Sequence, residues 1–158
     1  MATKTNALRL LDTAGIPYAT REYEYNEKNP CGVRPDDLDE ALQQRMFKTL
    51  VTRGDRTGIN VFCIPVSEEL DFKKCASAAG DKRIEMVPMK EILGLTGYVR
   101  GGCSPVGMKK KYPTYFDEAI VLYDRIFVSG GQQGLQIEVD PMALMEFVEG
   151  SMADLTKG

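Results

Sequence analysis

Histidine is absent from the 158-residue chain. A serine–histidine–aspartate or cysteine–histidine nucleophile is therefore impossible within one subunit. Acid–base chemistry would fall to carboxylates, lysine, tyrosine, cysteine, the substrate itself or ordered water. An enzyme of this composition is expected to work mainly by binding and positioning its substrate.

Long apolar runs and paired cysteines are also missing. No apolar run reaches about 18 residues, so we predict no membrane span, and the amphipathic N-terminal segment does not resemble a signal peptide. The four cysteines, Cys31, Cys63, Cys75 and Cys103, contain no C-x-x-C pair. Without histidine or such a pair, we expect no zinc site, no other metal or cofactor, and a reduced, cytoplasmic protein.

Positive charge is not in excess, because the formal net charge is −3. This value argues against a general nucleic-acid-binding surface but allows a local basic face. Two clusters are candidates for such a face: Lys109, Lys110 and Lys111, and Lys82 with Arg83. A solvated surface is the alternative interpretation of each cluster.

The pattern of apolar and turn residues predicts a single domain over residues 1–158, of mixed α/β class. Hydrophobic residues make up 43% of the chain, which is enough for a buried core. Short strands interleaved with helices favour a strongly curved mixed sheet that forms a partly open barrel with helices outside it. The first predicted helix has Leu8, Leu11 and Ala14 on its apolar face and ends at Gly15, and the other predicted helices are segments 36–44, 70–80, 87–95 and 141–147. The predicted strands are 20–25, 46–52, 59–66, 84–87, two within 119–131, and 134–139, and the strands 46–52 and 59–66 are expected to form a hairpin.

Four stretches of the sequence match a known family. They are FKTLV at 47–51, LDFKKCASAAG at 70–80, TGYVRGGCSPVGMKKKYPTYFDE at 96–118 and VSGGQQGLQIEV at 128–139. Together they resemble the YbaK/EbsC family, also called the prolyl-tRNA synthetase-associated domain. That family includes free-standing deacylases that clear mischarged aminoacyl-tRNA and editing domains built into prolyl-tRNA synthetases. The resemblance implies a mixed α/β domain around a partly open barrel, which agrees with the fold predicted above.

The resemblance also implies an activity. The chain would be a trans-editing deacylase that cleaves the ester of a mischarged aminoacyl-tRNA, with Cys-tRNA(Pro) or a related small amino acid on tRNA(Pro) as first candidate. The attacking group stays open between water, an adenosine hydroxyl and the thiol of a bound cysteinyl group. Its partners would be the acceptor end of aminoacyl-tRNA and, as a further candidate, prolyl-tRNA synthetase. Two alternatives stay open: a non-catalytic module that binds aminoacyl ends or a synthetase, and a hydrolase of small thiol or amino-acid esters.

The implied pocket lies between the FKTL strand and the GGCSP loop. Taken alone, Lys48 would be a solvent-facing strand lysine; in relatives this lysine points into the pocket, where it would bind phosphate or ribose or polarise the ester. Gly101 and Gly102 fit a simple turn, or a loop whose amides approach the ester carbonyl. We assign Lys48 and Gly102 to catalysis, Tyr23, Phe47, Thr49, Gly101, Cys103, Ser104, Pro105, Gly130, Gly131 and Gln136 to substrate binding, and Lys109, Lys110 and Lys111 to tRNA binding.

Three of these residues carry competing interpretations. Cys103 is not assigned as a nucleophile, because no histidine can deprotonate it and relatives commonly carry an apolar residue there; a small packed side chain is preferred. Gln136 stands where many relatives carry an aspartate or glutamate, so a carboxylate role is not transferred to it. It is either a ligand for the substrate α-amino group or an ordinary strand residue, and Tyr23 is either a pocket or a core tyrosine.

Overall fold

The computed structural model describes residues 4–26 and 43–158. The predicted helix 36–44 lies outside these ranges except for its last two residues, which are helical, and Cys31 lies outside them as well. The elements follow in the order α1 (Asn6–Ala14), β1 (Tyr18–Glu22), β2 (Phe47–Gly54), β3 (Gly58–Pro65), α2 (Phe72–Ala79), β4 (Ile84–Met86), α3 (Met89–Thr96), β5 (Thr114–Asp117), a 3₁₀ helix (Glu118–Leu122), β6 (Ile126–Ser129), β7 (Leu135–Val139), α4 (Pro141–Phe147) and β8 (Ser151–Ala153).

Short polar side chains and glycines set the ends of α1 and α2, and the predicted end of the first helix at Gly15 is confirmed. At the start of α1, the Leu8 amide donates to Thr5 Oγ1 at 3.2 Å, and Gly15 ends the helix with φ of 72°. Asp71 caps α2 and Gly80 ends it in the left-handed conformation. In each case an oxygen satisfies the first free amides, and a glycine adopts the left-handed turn without a side-chain clash.

The predicted hairpin is confirmed and forms the centre of the larger sheet. β2 and β3 pair antiparallel from Phe47 opposite Pro65 to Gly54 opposite Gly58. The sheet has the order β4-β2-β3-β5-β8, in which β5 lies parallel to both β3 and β8. A second, antiparallel sheet has the order β1-β7-β6. The mixed α/β class is thus confirmed.

The two sheets meet next to the start of β2. There Met46 forms a parallel bridge with Phe127 of β6, and the Phe127 amide donates to the Arg45 carbonyl oxygen at 2.8 Å. Over residues 4–26 and 43–158 the strands do not close into a barrel, and the partly open barrel stays a prediction. In the same ranges no helix is both long and apolar enough to cross a membrane.

Two apolar clusters pack on opposite faces of β3. Val61 and Cys63 belong to the cluster between the two sheets, whereas Phe62 and Ile64 belong to a cluster covered by α2. Burial on both faces explains why β3 is a continuous apolar run instead of an alternating one. The hairpin is therefore held from both sides, which gives β2 a fixed position from which to present side chains.

Three local predictions were wrong. Segment 119–123 was predicted as a strand but lies almost entirely in the 3₁₀ helix. The chain turns there because the Asp117 carboxylate accepts hydrogen bonds from the Ala119 and Leu155 amides, both at 3.0 Å. Strands β5 and β8, of four and three residues, were not predicted. Ala14 is exposed, so the buried face of α1 is formed by its first two turns.

Candidate functional site

A cavity of about 630 Å³ lies along one edge of β2. Between Met46, which bridges to β6, and Thr52, where β4 begins to pair, this edge has no strand partner among the described residues. Consecutive β2 residues therefore reach the cavity, instead of every second one. The lining consists of Tyr23, Gln43, Phe47, Lys48, Thr49, Leu50, Val51, Val66, Ser67, Met86, Ile92, Arg100, Gly101, Cys103, Ser129 and Gln136.

Lys48 is a half-buried cation in the wall of this cavity. It is held by the β2–β3 ladder, in which it lies opposite Ile64. It forms no ion pair or hydrogen bond with any of the described residues. A lysine with no internal partner can bind an anionic or carbonyl oxygen of a ligand, and its assignment to catalysis stays a prediction.

Two glycines let the loop after α3 pack closely on its surroundings. A Cβ atom on Gly101, whose φ is 82°, would lie 2.4 Å from Cε1 of Tyr25. A Cβ atom on Gly102 would lie 2.9 Å from the Cα and carbonyl carbon of Gln132, in the turn between β6 and β7. Gly101 lines the cavity, whereas Gly102 is buried against that turn and does not line it.

The backbone amides of the loop differ in their partners. The Gly102 amide donates to the Val99 carbonyl oxygen at 3.0 Å. The amides of Gly101 and Cys103 form no hydrogen bond with the described residues, and both residues line the cavity. The loop therefore offers two donors that have no partner among the described residues, in the cavity that Lys48 also lines, and Gly102 is not one of them.

Four of the predicted site residues support the loop from behind. Ser104 and Pro105 are buried, and Ser104 Oγ accepts a hydrogen bond from the Val106 amide at 3.2 Å. Gly130 and Gly131 form the β6–β7 turn, where the Gly130 amide donates to the Leu135 carbonyl oxygen at 2.9 Å. None of the four lines the cavity, so their predicted contact with substrate stays a prediction.

Gln136 and Tyr23 line the cavity, and a residue that was not predicted, Arg21, contacts both of them without lining it. Arg21 lies opposite Gln136 in the β1–β7 ladder and donates to its Oε1 at 2.8 Å. The same guanidinium carbon lies 5.9 Å from the centroid of the Tyr23 ring. Gln136 thus gives Arg21 an uncharged acceptor. The sequence signal for Arg21 was the alternating TREYEY segment, but the register was needed to identify its partner.

Two thiols near the cavity are held in their protonated form. Burial raises the pKa of Cys103 to about 11 and that of Cys63 to about 12. A hydrogen bond with Thr96 partly offsets the shift at Cys103, and one with Thr49 does so at Cys63. Neither thiol is a ready nucleophile near neutral pH.

The three lysines predicted to bind tRNA lie outside the cavity lining and are exposed. Lys111 forms an ion pair with Glu149, which balances its charge. The aliphatic chain of Lys109 lies near Gly97, at the end of α3: a Cβ atom added to Gly97 would be 3.3 Å from Cγ of Lys109. The role of these lysines in tRNA binding stays a prediction. Lys109 and Lys110, which form no ion pair with the described residues, would supply the charge for it.

Other residues of the site were also missed by the sequence analysis. Met86 and Ile92 come from β4 and α3, which no motif connects with the loop. Arg100 lies inside the motif at 96–118, directly before Gly101, and its position next to the glycine pair was the signal that could have identified it. Among the described residues, no group of three or more cysteine, aspartate or glutamate side chains is arranged to hold a metal ion.

Comparison with known proteins identifies the family. A family model described as an aminoacyl-tRNA editing domain matches residues 34–147. A candidate Cys-tRNA(Pro)/Cys-tRNA(Cys) deacylase of Enterococcus faecalis, EbsC, is 43% identical over 156 residues, which cover 97% of this chain and 93% of that protein.

Solved structures agree in fold. A candidate trans-editing enzyme for prolyl-tRNA synthetase superposes with a TM-score of 0.76 at 23% identity, over 96% of this chain and 93% of its own. A hypothetical protein superposes with a TM-score of 0.79 at 19% identity, over 94% and 97%. The resemblance seen in the sequence is thus confirmed, and the chain belongs to the aminoacyl-tRNA editing domain family of YbaK/EbsC type.

Proposed function

We propose that this chain is a trans-editing enzyme that deacylates mischarged aminoacyl-tRNA, with Cys-tRNA(Pro) or another small amino acid on tRNA(Pro) as first candidate substrate. One observation carries the proposal: Lys48, Gly101 and Cys103 line the same cavity, and neither the lysine cation nor the two backbone amides have a partner among the described residues. The name of the 43% identical relative supports the substrate class. The acting unit is one domain over residues 1–158 in the cytoplasm, its ligand is the acceptor end of aminoacyl-tRNA, and prolyl-tRNA synthetase is a second candidate partner.

The first element of the mechanism is the Lys48 cation. Because its charge is not balanced by any of the described residues, it is available to a phosphate or ribose oxygen of the terminal adenosine, or to the ester itself. Lysine suits this task as a mobile point charge at the end of a flexible chain. We assign it to orientation of the ester, which alone can supply several kcal/mol toward the barrier of an intramolecular attack.

The second element is a pair of backbone donors. The free amides of Gly101 and Cys103 are available to the carbonyl oxygen as it gains negative charge, whereas the Gly102 amide is already bonded to Val99. The oxyanion role that the sequence suggested for Gly102 is therefore better filled by its two neighbours. Gly102 keeps a positioning role through its contact with the β6–β7 turn.

The attacking group comes from outside the protein's own side chains. The chain has no histidine, and burial keeps the Cys103 and Cys63 thiols protonated. If a cysteinyl substrate attacks its own ester, a C–S bond forms, the ester C–O bond breaks and the thiol proton goes to the departing ribose oxygen. If water attacks, the products are the free amino acid and the same ribose hydroxyl.

A panel of labelled aminoacyl-tRNAs tests the reaction, with cysteinyl- and alanyl-tRNA(Pro) foremost. We expect deacylation above the spontaneous rate for at least one member. Cleavage of the cysteinyl ester alone favours attack by the substrate thiol, and cleavage of both favours attack by water, because attack by an adenosine hydroxyl would only move the acyl group to the neighbouring ribose oxygen. Spontaneous rates across the whole panel would refute the proposed activity.

Lys48→Ala tests the site, and Lys73→Ala, an exposed lysine on α2, is its matched control. Misplacement of the reacting groups by about 1 Å can cost roughly a hundredfold in rate, so we expect a loss of that order for Lys48→Ala and none for the control. Both variants should unfold at the temperature of the parent protein, because neither lysine belongs to the core. A fully active Lys48→Ala variant would contradict the assignment.

The Gln136–Arg21 contact, in which the acceptor is an uncharged amide, favours one rival, a module that binds aminoacyl ends without cleaving them. A carboxylate would be the stronger ligand for a substrate ammonium group, and this chain has an amide there. Single-turnover assays with enzyme in excess separate the two functions. Binding with no release of amino acid supports the rival, and slow release supports the deacylase.

A further inference from the structure

A second cavity, of about 350 Å³, lies next to the first. Arg100 lines both cavities, and Tyr25 lines the second while its ring packs against Gly101, which lines the first. The segment Arg100–Gly101 is therefore a shared wall. A ligand that leaves the larger cavity across this wall enters the smaller one.

The walls of the second cavity suit a flat, apolar ring. Tyr25 supplies an aromatic side chain, and Leu93 and Val99 supply aliphatic ones that are 55% and 44% exposed. Nucleobases stack on such surfaces irrespective of sequence, because every base has a π face. The volume is at the lower end of the range of small-molecule sites, about 300 to 1,000 Å³, which suits one nucleotide.

The charges around the second cavity suit a phosphodiester. Arg100 and Lys90 both line it, and neither forms an ion pair with the described residues. Glu91, next to Lys90, is bound instead by Arg53 at 2.8 Å. No described acidic side chain lines the cavity. The phosphate between two nucleotides, one in each cavity, would fall at the shared wall and so beside Arg100.

One polar group in the second cavity can recognise a base edge. Gln133 Nε2 donates to the Arg100 carbonyl oxygen at 2.8 Å, which fixes the side chain at the shared wall. Its Oε1 makes no hydrogen bond with the described residues. This oxygen can accept from the exocyclic amine of cytosine, whereas uracil presents a carbonyl oxygen at that position.

We propose that the second cavity binds the nucleotide directly 5′ of the terminal adenosine, a cytidine in tRNA, with its base on Tyr25 and the linking phosphate on Arg100. The inference rests on the proposed function, which puts the aminoacyl-adenosine in the larger cavity. It assigns the smaller cavity to affinity and register, not to the chemical step.

Two non-hydrolysable probes test the proposal by calorimetry: adenosine carrying a 3′-amide-linked cysteinyl group, and the same compound extended at its 5′ side by a cytidylyl residue. We expect the longer probe to bind about tenfold more tightly, as is usual for one stacked base. Tyr25→Ala should remove most of this gain and leave the affinity for the shorter probe unchanged, because Tyr25 lines only the second cavity. Arg100→Gln, at the wall that both cavities share, should narrow the difference in affinity between the two probes. Tyr25→Phe, which keeps the ring, and Arg56→Gln, at the opposite end of β2, should retain the gain.

The possible failures are distinguishable. If both probes bind the parent protein equally, the nucleotide site is refuted and the proposed function is not. If the Tyr25→Ala and Arg100→Gln variants weaken both probes alike, the cavity acts on the terminal adenosine, which also overturns the assignment. If neither probe binds the folded protein, the proposed function fails and the nucleotide site fails with it.

Discussion

Replacement of Gly102 by alanine tests how the substrate loop is positioned. The added Cβ would lie 2.9 Å from three backbone atoms of Gln132 and Gln133. Backbone cannot rotate away as a side chain can, so the loop and the β6–β7 turn must move apart by several tenths of an ångström. Such overpacking costs about 1 to 3 kcal/mol. For a domain of this size that lowers the unfolding temperature by roughly 2 to 12 °C.

The same displacement moves the free amides of Gly101 and Cys103 away from the position of the ester carbonyl. We expect kcat to fall more than KM rises, because the donors act mainly on the charge that develops in the transition state. Thermal unfolding and deacylation kinetics, measured on the same preparation, give both quantities. The loss arises from position, since the Gly102 amide itself is already bonded to Val99.

Gly94→Ala is the matched control. Gly94 lies within α3, and a Cβ there would meet nothing within 4 Å. The substitution should raise the free energy of unfolding by up to about 1 kcal/mol, because alanine favours helix more than glycine does. If Gly102→Ala unfolds at the parent temperature and retains full activity, the contact between the loop and the β6–β7 turn does not position the site.

Three further predictions follow from the same geometry. Cys103→Ala should retain kcat, because burial keeps that thiol protonated. Loss of all activity in the variant would instead identify Cys103 as a nucleophile. Changing Lys109, Lys110 and Lys111 to glutamine should raise the apparent KM for tRNA. It should also reduce the slope of log affinity against log salt concentration by roughly 1.5, since each phosphate contact contributes about 0.7 to 0.9 to that slope and Lys111 is paired. Unchanged binding would leave the cluster as a solvated surface. The carboxylate of Asp81 accepts hydrogen bonds, first from the side chain and backbone of Thr57, and these hold the pKa of Asp81 well below its ordinary value of 3.8. The stability that this carboxylate gives the folded protein is therefore complete above pH 3.8 and declines as the pH falls below it. Asp81→Asn should flatten the acid limb of a profile of melting temperature against pH, and parallel profiles for variant and parent would refute the linkage.

Local signals carried most of the fold prediction. The caps at Asp71 and Gly80 and the hairpin of β2 and β3 depend on neighbouring residues, so they were readable from the sequence. The 3₁₀ helix was not, because the Asp117 carboxylate that turns the chain also binds the distant Leu155 amide. A short apolar run gives no period by which the two outcomes could be separated.

The candidate site divides in the same way. Lys48 and Gly101 belong to motifs within short segments, and both line the predicted pocket. The Arg21–Gln136 pair depends on the register of β1 against β7, and the second cavity depends on how α3 packs against the loop. The role of Gly102 shifted because the partner of its amide is a backbone carbonyl, about which side-chain identity says little.

The open edge of β2 also bears on how the protein avoids association with other chains. An unpaired strand edge offers a row of backbone groups to any other extended chain, and natural proteins protect such edges by burial or by charge. Among the described residues the open stretch is short, because it lies between the Met46 bridge and the Val51 carbonyl oxygen, which accepts from the Val87 amide at 3.2 Å. It is recessed in a cavity that Lys48 also lines. A lysine placed there opposes pairing with a further strand as well as serving a ligand. Lys48→Ala would therefore be expected to carry a second phenotype, a lower threshold for aggregation, that is independent of tRNA.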